Sequence, residues 1–451
     1  MPFENEFASY EPLRRILDSE KVQVLQKRLK VRKTEDSNQQ LSDIVGKNQL
    51  EPSHWQPDWV LAIDGSYHAV KAENGFPGAE FGYVTLASVL IFLDKIREME
   101  KQEFIDPRKF RETEKASTIE SVYPGCNVMV DDEDSAKSSM RKMLFEELKT
   151  HVIFSEGETL LDTYEVLLKI KREKSADVKS PRCPCELEQD FEYGYGQYPC
   201  SKCHKTLYST DAMRLHELLN PGGTCGEMYG QIMFTLERLW LVHILRAFER
   251  KNWLPTLRRI AFIVDGSLAV YSTPSWLAKS ISDELRRINE LQKKTNGQDL
   301  IILGIEKTGN FVNHFEDLDT DTKGVKGKLP NQTAILLTDE YIKKNIIFSE
   351  SPKLYGLDTY FGRKFFYKTQ SGYRIVASLA CYNDFQRDIT TASPQQFSRL
   401  ADVMNLLDQI VSSRFQNSVS PLVSAHAEAS IPLNLGKRLF EDIAKEIRNR
   451  S

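Results

Sequence analysis

Two stretches of the sequence share one pattern, a short run of apolar residues that ends in Asp-Gly-Ser. The first is Trp59–Ser66 and the second is Ile260–Ser267. An apolar run of this length, bounded by a turn signal, is typical of a strand buried on both faces of a sheet. Asp64 and Asp265 would then lie at the carboxyl ends of their strands, where open α/β sheets usually place their sites. The alternative is that Asp-Gly is simply a good turn.

The rest of the chain alternates between strand and helix patterns. Strands are predicted at residues 81–93, 300–305 and 334–338, and a hairpin is predicted around Ser371-Gly372. Helices are predicted at residues 10–31, 135–148, 158–171, 228–248, 273–294, 395–412 and 437–451. This alternation predicts an α/β fold. A polar segment at residues 33–57 is predicted to be a linker.

Length and composition set the class of protein. The chain has 451 residues, of which 41% are hydrophobic, and a formal net charge of -4. Because there is no basic excess, a contact with nucleic acid must be a local groove or be helped by another subunit. The sequence contains no apolar run of about 18 residues, so no membrane span is predicted. The acidic N-terminus lacks an apolar signal region, and we therefore expect a cytoplasmic protein.

Four of the seven cysteines are clustered in a polar segment. They form a C-x-C pair and, after fourteen intervening residues, a C-x2-C pair: Cys183, Cys185, Cys200 and Cys203. Two tight pairs of this kind can supply the four soft ligands of a tetrahedral Zn²⁺. A metal would also allow so small a segment to fold. We predict a structural zinc module over residues 182–225. His204 is an alternative fourth ligand, and four free thiols in a loop are the alternative without metal.

A single carboxylate, Glu237, lies within the most apolar helical pattern. Its neighbours one helical turn away are Met233, Phe234, Trp240 and Leu241. A carboxylate on such a face costs several kcal/mol unless it is paired or binds a cation. The sequence leaves two interpretations open, a cation site and a buried ion pair with Arg238 or Arg246.

Together, the two aspartates and Glu237 offer three hard oxygen ligands. This set suits Mg²⁺ or Mn²⁺ and not Zn²⁺, and two such ions can promote phosphodiester cleavage. Lys307 follows another predicted strand and could hold the scissile phosphate or the attacking water. His426 could act as a general acid or hold an outer ligand, although a lone histidine in an apolar segment is more often a core residue. The sequence has no P-loop and no nucleophile elbow.

The ordered series of these residues resembles the NurA nuclease family from about Trp59 to Ile431. The resemblance implies an RNase H-like mixed sheet flanked by helices, a homodimer, and DNA cleavage with Mn²⁺ or Mg²⁺. It also implies a partner, HerA, a hexameric ATPase that feeds DNA into the nuclease. Residue by residue, it implies three metal ligands followed by two supporting catalytic residues: Asp64, Glu237 and Asp265, then Lys307 and His426.

Two features depart from the simplest members of that family. The stretch between Glu237 and Asp265 is longer than usual, which leaves Glu249 as an alternative third acidic ligand. The cysteine module is an addition, and it resembles zinc ribbons of some bacterial NurA-like proteins, some of which look like parts of HerA-linked antiphage systems.

These inferences divide the chain into four parts. They are an N-terminal helical segment and linker at 1–57, a nuclease core at 58–181 and 226–435, a zinc-ribbon-like insertion at 182–225, and a C-terminal helix at 436–451. We predict a metal-dependent DNA exo- or endonuclease that acts with a HerA-type ATPase in DNA end processing or antiphage defence. The alternatives are a non-catalytic zinc-stapled adaptor for DNA or protein, and an RNase of the same fold class.

Overall fold

The computed structural model of the chain describes most of its residues. They are 11–30, 44–72, 76–99, 114–130, 133–154, 157–174, 194–320, 324, 327–411 and 418–430. The predicted C-terminal helix at 436–451, Cys183 and Cys185 lie outside these residues. The chain forms two compact units, Met1–Leu41 and Ser42–Ser451.

The first unit contains two short helices, α1 (Glu11–Asp18) and α2 (Glu20–Arg28). The strands of the second unit are β1 (Ile44–Gly46), β2 (Trp59–Lys71), β3 (Glu80–Phe92), β4 (Glu114–Pro124), β5 (Gln197–Pro199), β6 (Thr206–Tyr208), β7 (Ile260–Asp265), β8 (Ile301–Glu306), β9 (Thr333–Leu336), β10 (Gly362–Lys368) and β11 (Arg374–Ala380). Its helices within the described residues are α3 (Leu93–Met99), α4 (Ala136–Thr150), α5 (Leu160–Lys174), α6 (Gly226–Arg250), α7 (Leu277–Asn296), α8 (Asn310–Leu318), α9 (Asp339–Asn345), α10 (Asp384–Arg387), α11 (Leu400–Ile410) and α12 (Ser420–Ala429).

Nine of the described strands form one large mixed sheet. Their order is β1-β9-β10-β11-β8-β7-β2-β3-β4, and β5 and β6 form a separate two-stranded sheet. In the centre, β7 runs parallel to both β2 and β8, and the other neighbouring pairs of the large sheet are antiparallel. Helices cover both faces of the sheet, so the predicted α/β fold is confirmed as a mixed sheet flanked by helices.

The two faces of the central strands bury two different cores, because successive side chains of a strand point to opposite faces. On the face that we call the back, Ile63, Val264 and Ile302 pack with helices α4 to α7. On the face that we call the front, Ala62, Ile263 and Leu303 pack with α11 and α12. Strands buried on both faces explain why the sequence of this region reads as continuous apolar runs.

The sequence predicts that each Asp-Gly-Ser segment ends its strand. The second segment does so, but the first does not. Strand β2 continues through Asp64 to Lys71 because β3 pairs with it along its whole length. The parallel ladder with β7 stops at the pair Ile63↔Val264. Asp64 therefore lies where the parallel pairing ends and not where the strand ends.

Residues 44–57, which the sequence assigns to the linker, belong to the sheet unit. Strand β1 pairs with β9 at the sheet edge. The indole of Trp55 donates to the carbonyl of Arg258 at 2.7 Å, and the guanidinium of Arg399 lies 4.2 Å from its ring centroid. An edge strand of three residues is too short for its apolar pattern to stand out in the sequence.

The C-terminal part of the predicted zinc module also differs from the expectation. Tyr208, Met213 and Cys225 pack in the back core together with the main helices. Asp211 forms a buried ion pair with Arg141 of α4, at 2.5 Å. Residues 208–225 therefore contribute to the back core. Cys200 and Leu207 pack in a separate, smaller cluster.

Candidate active site

The two aspartates lie side by side on the front face of the sheet. The register Ile63↔Val264 in parallel strands brings the next residues, Asp64 and Asp265, level with each other. Asp64 is buried, and the side chain of Asp265 is 31% exposed. The amine of Lys307, directly after β8, lies 3.2 Å from Asp64 Oδ2 and 3.0 Å from Asp265 Oδ1. One lysine therefore bridges both carboxylates.

The predicted histidine reaches the same carboxylate from a helix. α12 packs its apolar side on the front face through Leu422 and Ala425. His426 Nδ1 lies 3.3 Å from Asp64 Oδ2, and its Nε2 lies 3.0 Å from the hydroxyl of Ser430. The histidine side chain is 57% exposed. The hydrogen bond to Asp64 raises the pKa of His426, so the contact favours the protonated ring.

The close approach of Asp64 changes the protonation equilibrium of Asp265. Burial raises the pKa of Asp265, and the charge of Asp64 raises it further, while Lys307 opposes both effects. Burial disfavours the charge of Lys307, but the two aspartates outweigh burial and raise the pKa of the lysine. The site therefore holds its two negative charges at a cost that one cation only partly offsets.

Glu237 approaches the aspartates from the back of the sheet. It is buried on α6, accepts a hydrogen bond from the backbone N–H of Gly65, and pairs with the neighbouring Arg238. Burial raises its pKa to about 8; the charge of Arg238 opposes this rise, and the charges of Asp64 and Asp265 add to it. Of the two arginines that the sequence leaves open, Arg238 is therefore the partner of Glu237. The charges of both aspartates also favour the protonated form of Glu237.

Arg238 ties the second Asp-Gly-Ser segment to this helix. Its fully buried guanidinium donates through Nη2 to the carbonyl of Asp265 at 2.7 Å and to that of Ser267 at 2.9 Å. The pair of Glu237 and Arg238 therefore contacts both segments, one through the Gly65 amide and the other through two carbonyls. The sequence identifies Arg238 as a candidate partner of Glu237 but contains no signal for the carbonyl contacts.

The alternative acidic ligand, Glu249, lies elsewhere. It follows Glu237 by 249 − 237 = 12 residues on α6, which is about 18 Å along a helix that rises about 1.5 Å per residue. Its two oxygens accept from the guanidinium of Arg287 at 2.8 and 2.6 Å. Glu249 is therefore engaged in an ion pair between helices α6 and α7.

The donor chemistry of the site fits a hard divalent cation. Asp64 and Asp265 present carboxylate oxygens in a setting that disfavours their combined charge, and Glu237 adds a third carboxyl group nearby. Among the described residues, no three acidic, histidine or cysteine side chains are already gathered as a metal-binding group. The amine of Lys307 lies between the two aspartates, so Asp64 and Asp265 would hold a divalent ion in place of the lysine.

A comparison with protein-family models identifies the family of the chain. The model of the NurA domain matches residues 59–431, which contain all five predicted site residues. The chain belongs to the NurA domain family. Membership of the NurA family implies that it is a nuclease, that is, a hydrolase. A comparison with curated protein sequences finds no match.

Solved structures of NurA proteins are similar to this NurA-family chain only at a low level. The NurA nuclease from Sulfolobus solfataricus is 10% identical, with 98% of this chain and 97% of that chain covered and a TM-score of 0.33. A structure of NurA is 12% identical over 99% of both chains, with a TM-score of 0.24. A structure of NurA with manganese is 11% identical over 98% of this chain and 99% of that chain, with a TM-score of 0.25. TM-scores this low do not by themselves establish a shared fold.

The cysteine pairs of this NurA-family chain are described only in part. Cys200 is buried beside Leu207 and Cys203. The backbone N–H of Cys200 donates to Lys205, and that of His204 donates to Cys200, so the C-x2-C pair forms a tight turn between β5 and β6. Because Cys183 and Cys185 lie outside the described residues, the zinc site stays a prediction. No helix in the described parts of the chain is long and apolar enough to cross a bilayer.

Gly65 lies directly against helix α6. A Cβ at this position would lie 2.7 Å from Met233 Cγ and 2.8 Å from Glu237 Oε1. We expect Gly65→Ala to lower the free energy of unfolding by roughly 1–3 kcal/mol, since the helix or Glu237 must move. If Mn²⁺ binds beside Asp64, we also expect Gly65→Ala to reduce the rise in melting temperature on addition of Mn²⁺.

Gly82→Ala is the matched control for this substitution. Its Cβ would also crowd α6, at 2.3 Å from the ring of Tyr229, but away from Glu237. It should lower the melting temperature and leave the Mn²⁺ response unchanged. Equal Mn²⁺ responses in the two variants and the wild type would contradict the close coupling of Gly65 to the site.

Proposed function

We propose that this NurA-family chain is a Mn²⁺- or Mg²⁺-dependent DNA nuclease with an RNase H-like core. The observation that carries the proposal is the bridge that Lys307 forms between Asp64 and Asp265 at the end of the parallel ladder. Two neighbouring carboxylates that share a single positive charge are an arrangement that a divalent ion would stabilise further. The family assignment supports the nuclease activity, and the hard oxygen ligands support the metal.

Each residue of the site has a role in this proposal. Asp64 and Asp265 would hold the ion, with Glu237 as a third acidic group that must lose its proton to take part. When bound, such ions activate a water and neutralise charge on the scissile phosphate. Lys307 carries a positive charge beside both aspartates, is 27% exposed, and can donate to a phosphate oxygen. His426 is exposed and favoured in its protonated form, so it can give a proton to the leaving oxygen.

The remaining parts of the proposal concern partners and pathway. We infer a homodimer that docks on a HerA-type hexameric ATPase and acts in DNA end processing or antiphage defence. A net charge of -4 supports a partner that brings the DNA, because the chain has no overall basic excess of its own. Light scattering of the purified chain, with and without such an ATPase, tests both the homodimer and its complex with the ATPase. A monomer that does not bind the ATPase would contradict both inferences.

We also infer a structural Zn²⁺ held by the two cysteine pairs. The tight turn at Cys200–Lys205 supports this inference, since a C-x2-C knuckle of this kind presents two thiolates to one ion. Elemental analysis should find one zinc per chain in the wild type and none in Cys200→Ser. Absence of zinc from the wild type purified without chelators would remove the inference.

The nuclease activity is tested on matched single strands of DNA and RNA. We expect cleavage of DNA with Mn²⁺ or Mg²⁺, no cleavage with EDTA, and slower cleavage of the RNA strand of the same sequence. Preference for RNA would identify an RNase of the same fold class. Binding of DNA without cleavage of either strand, with and without the ATPase, would favour the adaptor.

A further inference from the structure

A second set of polar groups lies behind the site, on the back face of the sheet. Glu306 ends β8 and Lys307 follows it, so their side chains point to opposite faces. While the lysine bridges the aspartates in front, Glu306 Oε1 accepts a hydrogen bond from the hydroxyl of Ser267 at 2.6 Å. The same oxygen lies 2.6 Å from the amine of Lys364. The serine of the second Asp-Gly-Ser is thereby joined to two other strands.

The lysine of this set is buried, which is unusual for its type. The Lys364 side chain is 5% exposed and lies on β10, with its amine 3.6 Å from the ring centroid of Phe311 and 5.1 Å from that of Tyr360. Burial lowers its pKa, and the charge of Glu306 opposes this change. A buried ammonium group is costly without a charged partner, so Lys364 holds the Glu306 carboxylate firmly in place.

Glu306 connects Ser267 and Lys307, which both lie next to the residues on the front of the site. Ser267 ends the turn that carries Asp265, and Lys307 is the next residue after Glu306 in the chain. We propose that Lys364 acts through Glu306 and Ser267 as a positioning residue, which fixes Asp265 and the bridging Lys307 relative to each other. This inference rests on the proposed function, because it assigns the network to the nuclease site.

A purely structural ion pair is the competing explanation, and the chain supplies a matched control for it. Lys368 lies on the same strand, four residues later, and its amine contacts Asp319 at 2.7 Å. Its side chain is 4% exposed, against 5% for Lys364, and Asp319 is 2% exposed. Both lysines therefore make a buried ion pair from β10, but only Lys364 is linked to Ser267 and Lys307.

The test compares Lys364→Met, Ser267→Ala, their double variant and Lys368→Met. Hydrogen exchange of the peptide 301–309 in metal-free protein reports how firmly the backbone that carries Lys307 is held, without any need for activity. We expect faster exchange there in Lys364→Met and Ser267→Ala, and wild-type exchange in Lys368→Met even though its melting temperature falls. Unchanged exchange in Lys364→Met and Ser267→Ala, or equal changes in all variants, would overturn the proposal.

Kinetics supply the second measurement. We expect each single variant to lower kcat on DNA by roughly tenfold with little change in KM, which corresponds to a rise of about 1.4 kcal/mol in the activation barrier. Because both act through Glu306, the double variant should lose no more than about threefold beyond either single variant. A multiplicative loss would overturn the shared pathway. Ser267→Thr keeps the hydroxyl and should restore kcat, which keeps the test decisive if Lys364→Met fails to fold.

The nuclease activity and the positioning role of Lys364 can be contradicted separately. Wild-type protein that cleaves no DNA under any metal condition would contradict the nuclease, while the exchange of peptide 301–309 would still decide whether Lys364 positions Lys307. An active wild type with an unaffected Lys364→Met would leave the nuclease intact and remove the positioning role.

Discussion

Asp64→Asn and Asp265→Asn are each expected to reduce cleavage of DNA by roughly a thousandfold or more. The bound ions are expected to supply several kcal/mol of transition-state stabilisation, and each 1.4 kcal/mol corresponds to about a tenfold change in rate. Asparagine keeps the size of the side chain but offers a neutral oxygen in place of a carboxylate. Lys307 retains one aspartate in either variant, so we expect the fold to persist. Cleavage of a labelled oligonucleotide, measured beside thermal unfolding, separates the two effects.

Asp319→Asn is the control for the loss of a buried carboxylate. Asp319 is 2% exposed and contacts Lys368 at 2.7 Å, and it accepts a hydrogen bond from the backbone N–H of Leu329. Its replacement should lower the free energy of unfolding by roughly 3–5 kcal/mol, the cost of leaving a buried partner unpaired. Folded Asp319→Asn should cleave at the wild-type rate. Full activity in both Asp64→Asn and Asp265→Asn would show that the aspartates do not serve the reaction.

Glu237→Gln is expected to change how stability depends on pH. In the metal-free fold, Glu237 has a pKa of about 8, against 4.5 for the unperturbed group. The folded state therefore holds this proton more tightly than the unfolded state between these values. The wild type loses stability from this group as pH rises from about 4.5 to 8, at up to about 1.4 kcal/mol per pH unit. Glutamine has no such proton, so the contribution is absent in the variant.

The measurement is the melting temperature of both proteins in EDTA from about pH 6 to pH 9. The difference between the variant and the wild type should shift in favour of the variant as pH rises. In Mn²⁺, stabilisation of the wild type should increase with pH up to about 8, because an acidic ligand must release its proton to bind. The variant should lack this increase. Parallel pH curves for the two proteins would contradict the raised pKa.

Glu249→Gln tests the alternative acidic ligand on the same helix. Glu249 is engaged by Arg287, and Glu237 is intact in this variant. The variant should therefore keep both the pH dependence and the Mn²⁺ response of the wild type. A loss of the Mn²⁺ response in Glu249→Gln alone would transfer the role of third acidic ligand to that residue.

The sequence predicts features that depend on neighbouring residues better than features that depend on contacts between distant parts of the chain. The apolar runs before Asp64 and Asp265 are local patterns, and they correctly indicate strands buried on both faces. The length of β2 depends on β3 as a partner, which the run itself does not reveal. The apolar neighbours of Glu237 correctly indicate burial, but a local pattern cannot distinguish an ion pair with Arg238 from a cation site.

The contact between Glu306 and Lys364 behind the site is an example that no local pattern in the sequence could predict. Glu306 and Lys364 are 364 − 306 = 58 residues apart, and they meet because β11 lies between β8 and β10 in the sheet. Lys364 stands in the sequence Gly362–Lys368, where a lysine would ordinarily be expected at the surface. Its burial depends on rings from α8 and from the residues before β10, which only the tertiary structure brings together. The family resemblance assigns His426 a supporting catalytic role, and its contact with Asp64 is equally long-range.

Anomalous diffraction from crystals grown with Mn²⁺ tests the central claim most directly. We predict a manganese peak between the carboxylates of Asp64 and Asp265, with the Lys307 amine displaced from its bridging position. A protein that cleaves DNA while Lys307 still bridges both aspartates, with no manganese between them, would contradict the account.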